Sequence, residues 1–202
     1  MTVLLDYGMG NLRSVSKAVE HLGFKVSIQR DLSGATKLIL PGVGAFGAAM
    51  ACLAPLRDSI RKFADSGAPV LGICLGQQLL FESSEEMGAH DGLGLLKGRV
   101  RYLPKDAGLK VPNIGWSGLH TCGRDGARPS TVLVRGVEDG EQVYFVHSLY
   151  TECEDPNDVA ATAEYGLTFP AAVERGNVFG CQFHPEKSGE VGLRILRNFL
   201  TL

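Results

Sequence analysis

A chain of 202 residues, 45% hydrophobic and 21% charged, has the composition of a globular protein able to build a core of its own. Its net charge is −2 and its 20 Lys and Arg are spread along the chain, which argues against a nucleic-acid or membrane surface. No apolar run is long enough to span a bilayer, and Met1 leads straight into Thr2-Val3-Leu4-Leu5-Asp6 without a charged and then apolar leader, so a cytoplasmic location is expected.

In chain order, residues 3–5 read as a buried strand. Asn11 is placed to cap a helix over 12–22, with Val15, Val19 and Leu22 on one face and Gly23 ending it. Residues 24–28 and 38–40 give two further strands. Pro55 opens a second helix, with Leu56, Ile60, Phe63 and Ala64 at i, i+4, i+7 and i+8, which Gly67 stops. Residues 70–73 form a fourth strand and 75–81 a short helix behind it. This β-α-β order predicts a parallel sheet covered by helices. Beyond it the pattern changes to strands over 99–103, 117–121, 143–148, 159–164, 171–174 and 178–183, with a polar surface loop at 123–130. The last strand is expected to run up to His184, and a helix over about 189–202 closes the chain. With no internal repeat and no linker, the expectation is one domain over 1–202 of α/β class. It has a mixed, mostly parallel central sheet with helices on both faces and an antiparallel extension.

The five cysteines, Cys52, Cys74, Cys122, Cys153 and Cys181, are odd in number and form no C-x-x-C pair. That argues against a disulfide framework or a zinc site and for a reducing compartment, and neither metal nor cofactor is expected. Cys74 stands apart from the rest. Gly72-Ile73-Cys74-Leu75-Gly76 follows an apolar strand and precedes a helical pattern, which is the form of a nucleophile elbow with Cys in place of Ser. A nucleophile on so sharp a turn needs neighbours almost without side chains. The turn lifts the sulfur onto the start of a helix, whose dipole favours the thiolate. The backbone N–H of Leu75, just after the nucleophile, is one candidate oxyanion donor. The competing interpretation is a buried structural cysteine that ends a core strand, and it is kept for the other four cysteines.

A nucleophilic cysteine needs a base, and the base an orienting acceptor. Cys181-Gln182-Phe183-His184-Pro185-Glu186 offers both: in an extended segment the side chains of His184 and Glu186 point the same way, and Pro185 restrains the backbone between them. A surface His-Pro-Glu turn with a salt-bridging glutamate fits the same residues. His147 also ends an apolar strand and is a rival base without a carboxylate two residues away. His21, His90 and His120 show no partner and are taken as solvated.

Gly72-Ile73-Cys74-Leu75-Gly76-Gln77-Gln78, together with Phe183-His184-Pro185-Glu186, resembles the class I, triad-type glutamine amidotransferases. The resemblance implies that Cys74 is the nucleophile, His184 the base and Glu186 the orienting acid. Further segments narrow the likeness: Asp6-Tyr7-Gly8-Met9-Gly10-Asn11, residues 40–46 with Pro41-Gly42-Val43-Gly44, residues 112–116, residues 145–148 and His184-Pro185-Glu186-Lys187-Ser188. Together they look like the glutaminase subunits of imidazole glycerol phosphate synthases, from near residue 3 to the C-terminus. Other class I glutaminases usually carry a Gly-Gly-Pro-Gly type segment where this chain has Pro-Gly-Val-Gly. The triad shows no departure, and the stretch over 122–130 fits no pattern of the family.

The resemblance implies that glutamine is hydrolysed through a glutamyl thioester. It makes the Val43 N–H a second oxyanion donor, and Gln78 a residue that holds the amino-acid end of glutamine, although a solvated helix position also fits Gln78. Gly42 and Gly44 would leave room for substrate. The implied partner is a separate cyclase subunit with a (β/α)₈ barrel, which combines the ammonia with a phosphoribulosyl-formimino carboxamide nucleotide to give imidazole glycerol phosphate and an aminoimidazole carboxamide nucleotide. Free ammonia would be protonated in water, so a heterodimer with a protected channel is expected. Tyr144 and Lys187 resemble interface residues near the active site, and ordinary surface fits them too. Two alternatives stay open: a glutaminase serving another synthase, and a non-catalytic amidotransferase-like regulatory subunit.

Overall fold

The computed structural model describes residues 1–104, 108–121 and 131–202. The polar loop expected at 123–130, and Cys122, lie outside the described residues. Strand β1 (Thr2–Leu5) leads to helix α1 (Leu12–His21), then to β2 (Val26–Gln29) and β3 (Lys37–Leu40). Helices α2 (Phe46–Leu53) and α3 (Arg57–Asp65) precede β4 (Val70–Ile73) and the short α4 (Leu75–Leu79). Next come β5 (Ser83–Ser84), β6 (His90–Asp91), β7 (Gly98–Tyr102), β8 (Asn113–Gly118) and β9 (His120–Thr121). The chain ends with β10 (Gln142–His147), β11 (Leu149–Cys153), β12 (Val159–Glu164), β13 (Thr168–Arg175), β14 (Val178–Cys181) and helix α5 (Gly189–Leu200).

The main sheet runs in the order β2-β1-β3-β4-β14-β13-β12-β9. Its first five strands are mutually parallel, and β13, β12 and β9 extend it antiparallel. The expected α/β class, with a mostly parallel sheet and an antiparallel extension, is therefore the observed one. Alternation along the strands sends side chains to two separate cores. Leu4, Ile39, Leu71 and Phe179 pack with α1 and α5, through Val15, Val19, Ile195 and Phe199. Val3, Leu5, Leu40 and Val70 pack on the other face against α2, α3 and α4. Two smaller sheets, β10-β8 and β11-β7-β5-β6, stand beside the main one. Among the described residues, no helix is long and apolar enough to cross a membrane.

The differences from the expected elements have local causes. Helix α2 has no counterpart in the sequence pattern because Phe46, Ala49, Met50 and Leu53 are buried among small residues, so no polar face marks its period. Burying Phe46 and Leu53 completely contributes roughly 1.5–3 kcal/mol each. The N–H of Asn11's neighbour Ser14 donates to the Asn11 side chain, as a cap requires. Strand β14 stops at Cys181 rather than running to His184. The chain then leaves β13 and turns to β10, where the His184 N–H donates to the Tyr144 carbonyl at 2.9 Å. Strand β8 starts at Asn113, four residues before the expected 117, and β11 lies beyond the turn at Ser148 where no strand was anticipated.

Candidate active site

Because β3, β4 and β14 are neighbours and parallel, their carboxyl ends bring three segments together: 41–44, Cys74 onward, and 182–188. In open α/β sheets this edge is where ligands bind. Cys74 has φ 56° and ψ −112°, a conformation rarely adopted by a side-chain-bearing residue. Its N–H donates to the Cys181 carbonyl at 2.7 Å, and α4 begins with the next residue. The flanking glycines are required by close approach: a Cβ on Gly72 would lie 2.5 Å from the Gly76 carbonyl oxygen, and one on Gly76 would lie 1.9 Å from that of Leu40. The turn can therefore stand over the sheet only with both side chains absent.

His184 and Glu186 reach this sulfur from the end of β14. They do not lie in one extended segment: His184 is extended, and Pro185–Lys187 make a single 3-10 turn. The turn still brings the His184 Nδ1–H to Glu186 Oε1 at 2.9 Å, with both side chains almost fully buried. Nε2 is then left for Cys74, whose sulfur is near enough to favour the charged ring. Burial by itself would depress the imidazole. The interactions with Cys74 and Glu186, and the negative charge of both, outweigh it and push His184 up to about 9. The arrangement thus favours imidazolium beside sulfur. The backbone of the turn is fixed in its own right: the Ser188 hydroxyl donates to the His184 carbonyl at 2.6 Å and accepts from the Tyr144 N–H at 2.9 Å.

His147, the rival base, lies in the same cavity but is spent on other bonds. A backbone carbonyl can only accept, so the contact of Nδ1 with the Leu149 oxygen at 2.8 Å places the proton on Nδ1. Nε2 then accepts from the Asn113 side-chain N–H at 3.0 Å. Burial pulls this imidazole down to about 4, with the nearby His184 adding to the effect and the Leu149 bond opposing it. His147 is a neutral residue with both nitrogens occupied.

A cavity of about 350 Å³ opens over the sulfur. Its wall includes Val43, Gly44, Leu75, Gln78, Glu86 and Lys187 besides Cys74, His147 and His184. Gln78 is buried, which excludes the solvated alternative; its Nε2 donates to the Leu149 carbonyl and to Gln182 Oε1, leaving its own oxygen as an acceptor. The space at Gly42 is taken up by protein: a Cβ there would meet Gly76 N and Leu75 Cβ at 2.8 Å and the Tyr7 hydroxyl at 2.9 Å. Gly44, with φ 103°, is on the cavity wall. Val43 is 44% exposed despite being apolar. Lys187 sits over the Tyr144 ring, 6.0 Å from its centroid, and Trp116, on the neighbouring strand, meets the same ring edge-on. Among the described residues, no cluster of three or more His, Cys, Asp or Glu is arranged to hold a metal ion. Of the remaining cysteines, Cys52 is exposed, burial pushes the Cys153 thiol up to about 12, and burial also holds Cys181 well above the usual thiol range.

Residues 3–202 match the family model described as glutamine amidotransferase class-I. The chain belongs to this family. Among similar amidotransferase sequences, the imidazole glycerol phosphate synthase subunit HisH of Methanosarcina mazei is 50% identical over 205 residues, covering 99% of this chain and 98% of that protein. The same subunit from Syntrophotalea carbinolica is 50% identical over 209 residues, covering 98% of each chain. In Aquifex aeolicus the subunit is 48% identical, covering 98% of this chain and 95% of its own. Solved structures agree on the amidotransferase fold. One described as a glutamine amidotransferase superposes with a TM-score of 0.75 at 21% identity, covering 99% of this chain and 97% of that one. PurLQS from Thermotoga maritima gives 0.75 at 25% identity, covering 99% and 96%.

Within the amidotransferase site, sequence reasoning passed over Glu86, Asn113 and Gln182. Glu86, on the cavity wall, accepts from the Phe46 N–H through Oε2 at 2.5 Å. Nothing in Ser83-Ser84-Glu85-Glu86 separates it from its neighbours. Asn113 and Gln182 lay inside the motifs already quoted, and their burial, at 2% and 0% exposure, is the signal that the sequence did not carry.

Proposed function

We propose that this chain is the glutaminase subunit of an imidazole glycerol phosphate synthase in histidine biosynthesis, and that residues 1–202 act as one glutamine amidotransferase type 1 domain. The observation that carries this is the meeting of Cys74 and His184 in one cavity, with buried Glu186 hydrogen-bonded to the far side of the imidazole at 2.9 Å. The full-length likeness to HisH subunits supports the choice of synthase.

The chemistry follows from the protonation states. Cys74 thiolate attacks the side-chain amide carbon of glutamine, and the negative charge passes to the carbonyl oxygen. Leu75 is the first residue of α4, so its N–H has no acceptor within the helix and can donate to that oxygen. The Val43 N–H is the second donor. The His184 imidazolium gives its proton to the departing nitrogen, ammonia leaves, and a glutamyl thioester remains. Neutral His184 then takes a proton from water as the hydroxide attacks the thioester carbon. Collapse of that intermediate expels the thiolate, releases glutamate and restores the starting pair. Glu186 holds the ring with Nε2 towards the sulfur and stabilises its charge throughout. The Gln78 oxygen and the Glu86 carboxylate are suited to the α-ammonium group of glutamine.

Ammonia then passes to a separate cyclase subunit with a (β/α)₈ barrel, in a cytoplasmic heterodimer. Val43, Trp116, Tyr144 and Lys187, apolar or aromatic groups with one cation beside the cavity, form the surface that the cyclase would cover. Covering it would also bring the Val43 peptide under the partner's control. With Gly42 before it and Gly44 after it, the Gly42–Val43 peptide plane can rotate between presenting its N–H and its carbonyl to the oxyanion, so that the partner's ligand shifts the population. The test is glutamate production from glutamine by the purified chain, alone and with a cyclase subunit and its nucleotide. Strong stimulation by that cyclase is expected. Equal activity without it, or stimulation only by a different synthase, would assign the chain elsewhere.

A further inference from the structure

Gln182, between β14 and the His184 turn, has no part in the chemistry above, yet it is fully buried beside the nucleophile. Its backbone is fixed, with the N–H donating to the Ala171 carbonyl at 2.8 Å. Its side chain spans a gap: Nε2 lies 3.8 Å from Cys74 Sγ, and Oε1 accepts from Gln78 Nε2 at 3.0 Å. A position needed only for packing would be filled at lower cost by an apolar side chain, because a buried amide must find partners.

The oxygen and nitrogen of a glutamine amide are easily exchanged in assignment, but here their order is fixed by a backbone group. The Leu149 carbonyl can only accept. The Gln78 atom that faces it at 3.2 Å must therefore be the nitrogen. The second hydrogen of that nitrogen points at Gln182, so the Gln182 atom facing it must be the oxygen. The amide nitrogen of Gln182 is then turned to the sulfur. The relay starts at a main-chain carbonyl and ends on the nucleophile, and no member can flip without setting two donors or two acceptors against each other.

We infer that Gln182 is a catalytic residue that donates an N–H to the Cys74 thiolate, and that Gln78, anchored on the Leu149 carbonyl, is the positioning residue that keeps it turned. This rests on the assignment of Cys74 as nucleophile. On another side of the sulfur lies the Val146 carbonyl at 3.7 Å. A thiol can donate to that oxygen, whereas a thiolate cannot and gains only from a donor. Gln182 supplies one, alongside the His184 imidazolium, both in the resting pair and when the thioester collapses and sulfur leaves as thiolate. Gln78 thereby has two duties, with its hydrogens turned to the relay and its oxygen towards the substrate.

The test is the rate of Cys74 alkylation by iodoacetamide as a function of pH in the full chain, followed on the Cys74-containing peptide by mass spectrometry. Without glutamine present, substrate binding does not enter. A hydrogen bond to a charged group of ordinary strength corresponds to about tenfold or more in the ionisation constant of the thiol. Gln182→Leu should therefore displace the midpoint of the alkylation profile upward, with alkylation about tenfold slower on the acid side of the midpoint and an unchanged rate at a pH where the thiol is ionised regardless. Gln78→Leu, which has no N–H for Leu149 or for Gln182 and adds no charge, should also displace the midpoint upward, because the Gln182 amide then loses the donor that fixes its orientation. An unchanged midpoint in either variant, with the wild-type circular dichroism spectrum retained, overturns the inference. Failure of the underlying assignment would look different: Cys74→Ala would go on hydrolysing glutamine.

Discussion

Two buried histidines, each at the end of a strand and each about 5% exposed, line the same cavity and have opposite character. His184 is pushed up to about 9 and His147 pulled down to about 4. Burial depresses both, so the difference comes from their partners. His184 has a carboxylate on one nitrogen and the sulfur on the other, and both favour its charged form. His147 has a carbonyl on one nitrogen and an amide N–H on the other, and that N–H can bond only to an unprotonated ring nitrogen. Depth in the protein thus does not set the charge that a buried histidine favours; the sign and polarity of its second partner do.

The largest effects are expected from breaking the charged corner. His184→Ala should lower glutamine-dependent turnover by on the order of 10⁶-fold, and Glu186→Gln by about 10⁴-fold, as when the base or its orienting acid is removed from a comparable triad. Steady-state glutaminase kinetics of the complex measure both. If His184→Ala kept its activity while His147→Ala lost it, the two histidines would exchange roles.

Next in size is Val43→Pro, which deletes one oxyanion donor and should cost roughly 10²–10³ in rate while ammonia-dependent synthesis is spared. A variant that assembles with the cyclase and still shows the full ligand-stimulated rate removes Val43 from the mechanism.

His147→Ala belongs to the other corner. It leaves the Asn113 amide without its acceptor and deprives the Leu149 carbonyl of one of two donors, so the loss should appear in stability, at about 1–3 kcal/mol in chemical denaturation. Turnover should fall by less than about tenfold. A loss of turnover as large as that of His184→Ala would contradict the neutral, structural assignment.

The corners can also be separated by pH. His184 binds its proton more tightly folded than unfolded, so its contribution to stability is complete below pH 6.5 and is lost as pH rises through about 9. The contribution of His147, whose folded value is depressed, is present above pH 6.5 and is lost as pH falls through about 4. The stability difference between wild type and His184→Ala should therefore shrink from pH 6 to pH 10, and that for His147→Ala should shrink from pH 7 to pH 4. Parallel trends in the two variants would remove the distinction.

The charged corner was legible in the sequence because its parts are local. Gly72-x-Cys74-x-Gly76 records a steric demand, since both missing side chains would strike backbone, and His184 with Glu186 is a pair two residues apart. The neutral corner was not legible. Asn113, His147 and Leu149 come from β8, β10 and β11, and only the pairing of β8 with β10 tells that the first two meet. Gln182 and Gln78 are separated by more than a hundred residues and become partners only because β14 lies beside β4. In the fold, amphipathic α1 and α3 were anticipated, while α2, apolar on every side, carries no periodic mark. The extended geometry expected through Glu186 gave way to a 3-10 turn, since the chain at His184 is tied to Tyr144 and Ser188 rather than to the strand it leaves.

The central claim is that this chain does one thing for the complex, which is to release ammonia through Cys74. The direct measurement is synthesis by the complex carrying Cys74→Ala, with glutamine or with ammonium salt as nitrogen source. Glutamine-dependent synthesis should vanish while ammonia-dependent synthesis stays at the wild-type rate; near-normal use of glutamine by this variant would contradict the account.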